Sequence, residues 1–586
     1  MSKKIYFTPI KRSQLITNSG VGAVVRTRNG VTAIVRGLAD WQAAIPIPSR
    51  AVGPDRDIER ERFLKKLTIR DPELENACDV GKFILPQGLP DDPTFYEDWF
   101  IPVMRFPLAG FCTHWQCNRI SWSKSDESNS ARCHFCSEKK SRPVQQVPIF
   151  RVCKQGHIDE IDWQAASHDQ CGHGCASTQL KIKLTSSLTK MVAVCLDCGC
   201  KSNADNDEIS CTGRRAWLQD SGTEACAETM HVIERTSVQA YYSNIKSALH
   251  LPAPESYSDT LLEWLLSYGN VNNIDIASSI NINGLKSELE QLNLIFDVTE
   301  IVRHVQYLQN KLIRDVSTQW DASEARTREL DVLTNPILSE NNYGPQLLER
   351  TDVDIAGLNP VHFGPEGLFE SVVAVHKLTE TRVQDGFSRY VPEAPDTRTG
   401  QKLLWGLGDV KSPWLPGYRV YGEGILFVIN QERCRSWLAK NSQLQSQRNL
   451  RFVLSHTLAH LFLSAAALEC GYQLAGIRDR IYDLPDGRLG FLIYAAEGDS
   501  VGTLGGLVEL SSRERIESLV NSALSAGQWC AQDPVCISET TYQIEHNPGA
   551  CHQCVLLPET SCESFNQELD RAAVYGNADR GLHAFL

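Results

Sequence analysis

Hydrophobic and polar positions follow more than one rhythm along this chain. Near the start, residues 21–27 and 31–36 are apolar-rich runs on either side of Asn29-Gly30, a pattern that predicts a β-hairpin. Residues 57–76 are densely charged and predict an exposed helix. Short strand candidates follow at 180–184 and 191–194. Between 256 and 335 the rhythm changes: Leu261, Leu262, Trp264 and Leu265, then Leu289, Leu292, Leu294 and Ile295, recur at helical spacing. Residues 383–418 are rich in Gly, Pro and polar side chains and predict a loop or domain joint. After it come a buried strand at 421–429, a helical pattern over 431–469, a strand at 489–495 and a helix at 507–525.

These elements predict an α+β multidomain protein. The expected divisions are a hairpin-containing region (1–100), a cysteine-rich region (101–235), a mainly helical region (236–360), an α/β core (361–528) and a C-terminal four-cysteine module (529–586). The chain has 586 residues, 42% of them hydrophobic, which suffices for several cores. The apolar run at 461–468 falls short of the roughly 20 residues that span a bilayer. The N-terminus lacks the apolar stretch of a signal peptide, so the expected compartment is the cytoplasm, without a membrane partner. A net charge of −13 confines any contact with nucleic acid to a local basic strip.

Cysteine usage adds chemistry to this outline. Of 20 cysteines, only Cys78, Cys434 and Cys470 lie outside two blocks, 112–226 and 530–562. In a reducing compartment such clustering indicates metal rather than disulfides. Cys112-x4-Cys117-x15-Cys133-x2-Cys136 has the spacing of a zinc ribbon, two short-range pairs that close a tetrahedral thiolate cage. By proximity, Cys195 and Cys198 pair with Cys211 and Cys226, leaving Cys200 as a bystander or a substitute for Cys198. Cys153, Cys171 and Cys175 remain, with His157, His168 or His173 to complete a mixed site; His157 is the histidine carried forward. Cys530, Cys536, Cys551, Cys554 and Cys562 offer one ligand more than a site needs. Together these sets predict about three to four structural zinc ions.

Catalytic motifs are missing. GLGDVKS at 406–412 lacks the spacing of a phosphate-binding loop, so the acidic run Asp159-Glu160-Ile161-Asp162 has no nucleotide to serve. His456 and His460 share a helix face, but Thr457 stands where a metalloprotease places Glu. Packed histidines are the expected reading. A metal-dependent nuclease built on this pair is the enzymatic alternative. No GxSxG elbow occurs. A non-enzymatic protein is expected.

Longer motifs carry a resemblance. SHTLAHLFLSAAALECGYQLAGIRDRIY (455–482), GFLIYAAEGDSVGTLGGLVEL (490–510) and the cysteine-bearing 530–572 resemble a bacterial zinc-binding domain also found at the C-termini of some helicases. With RSQLITNSGVGAVV (12–25), FRVCKQGHIDEIDW (150–163) and CTGRRAWL (211–218), the chain resembles the DrmB family of DISARM anti-phage defence systems. Ala216 departs from the family's Arg-Pro-Trp pattern while Trp217 is kept. The resemblance implies a DrmA-like helicase as partner and source of ATPase activity, engagement of foreign DNA, and a functional link to a DNA methyltransferase that marks self. Candidate DNA contacts are Arg132, Lys139, Lys140 and Arg142 around the first cysteine set, and Arg214 and Arg215 with Trp217 for stacking. A pure protein-interaction adaptor is the remaining alternative.

Overall fold

The computed structural model of the chain describes residues 13–27, 30–43, 68–69, 71–78, 80–86, 101–124, 132–136, 142–169, 171–172, 174–183, 187–203, 209–218, 223–251, 261–262, 264–265, 268, 281–292, 294–317, 322–335, 348–391, 400–406, 413–446, 448–497, 505–538 and 547–586. Helices and several β-sheets make a mixed α/β fold. The chain divides into two compact units. The first comprises Met1–Asp71, Cys78–Lys246 and Arg382–Tyr418; the second comprises Pro72–Ala77, Ser247–Thr381 and Arg419–Leu586.

In the first unit, the predicted hairpin forms as Val24–Arg26 against Thr32–Val35, with Val103–Arg105 as the third strand. Gly30 sits at φ +79°, which favours glycine. Three further small sheets follow. One places Ala109–Cys112 between Ile120–Trp122 and Val144–Gln146. A second runs Ile158–Asp159, Ile149–Val152, Thr229–Glu234, Ile209–Ser210 in spatial order. The third is the meander Leu180–Lys183, Val192–Cys195, Lys201–Asn203. Each strand is short, and each of these last three sheets has cysteines at or near its strand ends.

The charged helix expected over 57–76 is corrected in part. Thr68–Ile69 is a strand paired with Phe83–Ile84, and the helix runs over Pro72–Cys78. Thr68 and Ile69 are β-branched, and a residue before proline is steered away from helical backbone, so the helix starts at Pro72. Residues 57–67 and 70 lie outside the described residues.

In the second unit, the helical rhythm of 256–335 becomes the helices Ile282–Gln291, Val298–Ser317 and Ala322–Thr334. Leu261, Leu262 and Leu265 pack there with Leu285, Leu289, Ile301, Val305 and Leu308. The unit's long strands are antiparallel. Leu415–Ile429 pairs with Leu489–Glu497 from Tyr421↔Glu497 to Ile429↔Leu489, and Ile477–Asp483 covers the other edge of Leu489–Glu497. Phe369, Phe427 and Phe491 on the sheet meet Phe462 of helix Leu450–Cys470 at centroid distances of 4.7–5.6 Å. This helix is long and apolar enough to cross a membrane by length and composition, but 78% of its apolar window is buried. It is the central core helix of the unit.

The expected loop at 383–418 is also corrected. Phe369–Ser388 is one 20-residue strand, and Gln401–Lys402 and Leu415–Ile429 are strands as well. Residues 392–399 and 407–412 lie outside the described residues. The helical pattern at 431–469 divides into Gln431–Lys440, Ser442–Gln445 and Leu450–Cys470, and that at 507–525 into Gly506–Glu509 and Arg513–Gly527.

Candidate metal centres

Four groups of cysteine and histidine converge so that their ligand atoms lie within 4.8 Å of one another. All cysteines are free thiols. A tetrahedral zinc with Zn–S bonds of about 2.3 Å has sulfur–sulfur edges of about 3.8 Å, whereas a disulfide closes to about 2.05 Å. That difference identifies which chemistry each group can support.

The first group lies in the first unit. Cys112 ends the strand Ala109–Cys112, and Cys117 closes a turn in which its N–H donates to the His114 carbonyl. Cys133 and Cys136 come from a second turn. Cys112 Sγ is 3.7 Å from Cys136 Sγ, and Cys117 Sγ is 3.8 Å from Cys133 Sγ. The His114 N–H donates to Cys112 Sγ at 3.4 Å, a bond that favours the thiolate. Burial outweighs it and pushes the Cys112 thiol up to about 12. A bound dication reverses such a shift, because it stabilises adjacent thiolates directly.

In the next two groups the structure exchanges the halves paired by sequence proximity. Cys153 stands with His157, Cys211 and Cys226. Cys153 follows strand Ile149–Val152 and Cys211 follows strand Ile209–Ser210. Both neighbour the start of Thr229–Glu234, just after Cys226, because that strand runs antiparallel to each. His157 Nδ1 is 3.4 Å from Cys153 Sγ, while its Nε2 is 3.2 Å from Glu224 Oε2. A carboxylate behind a ligating imidazole orients the ring and raises its basicity. The hydrogen bond from Cys153 lowers the Cys211 thiol to about 4, against the effect of burial.

His168, Cys175, Cys195 and Cys198 form the other group, with Cys171 and Cys200 alongside. Helix Trp163–His168 is N-capped by Asp162 and delivers His168 at its last turn. His168 Nδ1 bonds the Gln164 carbonyl at 2.8 Å, leaving Nε2 buried without a hydrogen-bond partner. Burial acts to raise the Cys195 thiol, but the Cys198 backbone N–H and His168 bring it down to about 6. Cys171 Sγ is 3.7 Å from Cys198 Sγ and 2.8 Å from Cys200 Sγ. Cys171 is thus near this group, apart from Cys153, and Cys200 is one of several thiols competing for a place. His173 lies outside the described residues.

The fourth group is in the second unit. Cys530–Cys551, Cys536–Cys554 and Cys551–Cys554 are separated by 3.5, 3.7 and 3.7 Å. The N–H groups of Gln532 and Gln553 donate to Cys530 and Cys551. Cys562 is elsewhere: it lies with His456, His460 and Asp479.

Around the first group, aromatic side chains are exposed. Trp115, between Cys112 and Cys117, is 78% exposed and stacks on His114. Phe135, between Cys133 and Cys136, carries the Arg119 guanidinium 4.8 Å from its ring centre. Arg132 and Arg142 are exposed in the same region; Lys139 and Lys140 lie outside the described residues. The second basic cluster is corrected. Trp217 is only 3% exposed, packed edge-on against Phe387, so it offers no face for stacking. Arg214 pairs with Asp159 at 2.8 Å, and Arg215 pairs with Glu224 and donates to Gln401.

The choice of His168, and the exposed Trp115 and Phe135, escaped the sequence reading. For the aromatics a signal existed: a large apolar residue inside a tight metal-binding turn has no core to enter.

A family model described as a domain of unknown function, DUF8724, matches residues 11–242. The chain is 25% identical over 528 residues to the DISARM protein DrmB of Bacillus paralicheniformis, an alignment covering 83% of this chain and 91% of that protein. Along most of its length the chain is therefore a relative of DrmB, as its motifs at 150–163, 455–482 and 530–572 imply.

Proposed function

We propose that this chain is a non-catalytic, zinc-stabilised subunit of a DISARM-type anti-phage defence assembly. In this reading it partners a DrmA-like helicase in the cytoplasm and contributes contacts to foreign DNA, with a methyltransferase protecting self DNA. The observation that carries the reading is the alignment with DrmB across nearly the whole of both chains. The metal is zinc, in ribbon-like β modules at 101–235 and in the C-terminal module at 529–586. Thiolate-rich sites with four protein ligands leave no position for an activated water, so they hold shape rather than perform hydrolysis. The nuclease alternative is disfavoured by one observation: His456 and His460 are both fully buried, leaving no route for a phosphodiester to reach them.

The DNA-contacting face in this reading is the turn pair of the first centre. Trp115 offers an exposed aromatic ring, Phe135 a partly exposed one that already carries Arg119, and Arg132 and Arg142 offer charge. Co-expression with the DrmA-like helicase, affinity capture and salt-dependent binding to single- and double-stranded DNA test it. The expected result is a co-purifying complex whose DNA affinity falls steeply with salt. Trp115→Ala should weaken single-strand binding by about tenfold, since stacking contributes about 1–3 kcal/mol per base. A stable complex with unchanged DNA affinity in Trp115→Ala would remove this face from the interface. Absence of any DNA binding would favour the adaptor.

A further inference from the structure

We infer that His456, His460, Asp479 and Cys562 form an additional, mixed-ligand zinc site that fastens the C-terminal loop to the core helix of the second unit. It is separate from the four cysteine-rich centres and does not depend on the defence reading.

The four side chains come from three elements. His456 and His460 are one turn apart on helix Leu450–Cys470, Asp479 lies on strand Ile477–Asp483, and Cys562 follows the short turn Glu559–Ser561. All four are essentially inaccessible to solvent. Their ligand atoms lie within 4.8 Å of one another. Asp479 Oδ2 is 3.2 Å from His456 Nε2 and 3.4 Å from His460 Nε2. Zinc bonds to nitrogen and oxygen of about 2.0–2.1 Å require tetrahedral edges of about 3.4 Å. The His456–Cys562 edge is 3.1 Å, against about 3.6 Å for a nitrogen–sulfur edge, so this pair opens slightly on metal uptake.

The surrounding bonds direct the ligand atoms inward. His460 Nδ1 bonds the Val555 carbonyl at 2.9 Å, which places its proton there and leaves the Nε2 lone pair facing the centre. Asp479 Oδ1 accepts the Glu563 N–H at 2.9 Å, leaving Oδ2 facing the same point. His460 Nε2 and Asp479 Oδ2 are both buried without a hydrogen-bond partner. Two acceptors would therefore confront each other in a dry interior, a costly arrangement that a cation resolves. Cys562 Sγ accepts N–H groups from Ser564 at 3.3 Å and Asn566 at 3.2 Å. Cys112, Cys211, Cys530 and Cys551 accept an N–H two residues on in the same way. One thiolate, one carboxylate and two neutral imidazoles exactly balance a dication, and this borderline donor set in a tetrahedron selects zinc.

Metal analysis of the purified full-length chain tests the site. Cys562→Ser and His460→Gln should each lose about one zinc per chain, while the cysteine-rich centres keep theirs. Cobalt substitution of the wild-type chain gives a second readout that needs no variant. A centre with one sulfur adds d–d absorption at higher energy than the thiolate-rich centres. Both variants folding with the full wild-type metal content would overturn the assignment. So would a cobalt spectrum without the additional band, if the variants do not fold.

Discussion

Glu329 shows how a single buried charge takes its meaning from its neighbours. It accepts two hydrogen bonds from Arg480, one of them from Nε at 2.8 Å, and Arg480 also meets Glu563 at 3.1 Å. Burial alone would push the Glu329 carboxyl up, but Arg480 and Arg326 outweigh it and hold the group below the usual carboxylate range. A depressed folded value stabilises the fold above the unfolded value of about 4.3 and is lost as pH falls through the folded one. Glu329→Gln should cost about 2–3 kcal/mol at pH 7, moderated by the remaining Glu563. Denaturant midpoints of both proteins from pH 8 downward check this: the gap should stay level to about pH 5 and narrow only below about 4.3. Other residues were harder to interpret from sequence. Arg214, Arg215 and Trp217 resemble a nucleic-acid patch in one dimension, because neither ion pairing with Asp159 and Glu224 nor contact with Phe387 is a local property.

Elements were legible where one face is apolar and obscured where buried positions are polar. The strand Tyr421–Ile429 and the helix at 450–470 declare themselves through unbroken hydrophobic positions. The strand Phe369–Ser388 does not: Glu380, Gln384 and Ser388 are fully buried yet polar, and the expected loop takes in its last residues, from 383 onward. Glu380 receives the Tyr494 hydroxyl at 3.0 Å, which makes such a position tolerable in a core. Helix Leu450–Cys470 has clear stops. The Asn449 side chain accepts the Phe452 N–H, and Gly471 ends the helix at φ +73°, where its N–H bonds the Ala467 carbonyl. No atom would touch a methyl group added at Gly471, so Gly471→Ala isolates the backbone cost. The expected loss is about 1 kcal/mol, read from the unfolding midpoint.

At the scale of the whole molecule, cysteine clustering announced metal, but the grouping of ligands depended on topology. The strand order that places Ile149–Val152 beside Thr229–Glu234 unites Cys153 with Cys211 and Cys226, although Cys171 is nearer in sequence. Asp479 left a weaker trace, as an acid between Ile477 and Ile481 at an inward strand position. The same topology makes a prediction about metal removal. The small cysteine-bearing sheets of the first unit share a core of a dozen buried residues, among them Phe111, Ile149, Trp163 and Met191, and the first centre sits on a separate patch of Cys112, Cys133 and Val144. Their order should therefore depend on bound metal more than that of the second unit, whose helix-backed sheet has a large apolar core. Chelation at neutral pH should unfold the cysteine-rich sheets first and leave much of the helical signal in far-ultraviolet circular dichroism. A thiol reagent should react sluggishly with the ligand cysteines of the metal-loaded chain, because bound thiolates are shielded and Cys78 and Cys434 are buried, while the partly buried Cys470, Cys171 and Cys200 label first. After chelation, the cysteines of the first unit should react quickly, mapped by mass spectrometry of the labelled peptides. Rapid labelling at Cys112, Cys117, Cys133 and Cys136 before any chelator is added would mean that these thiols hold no metal.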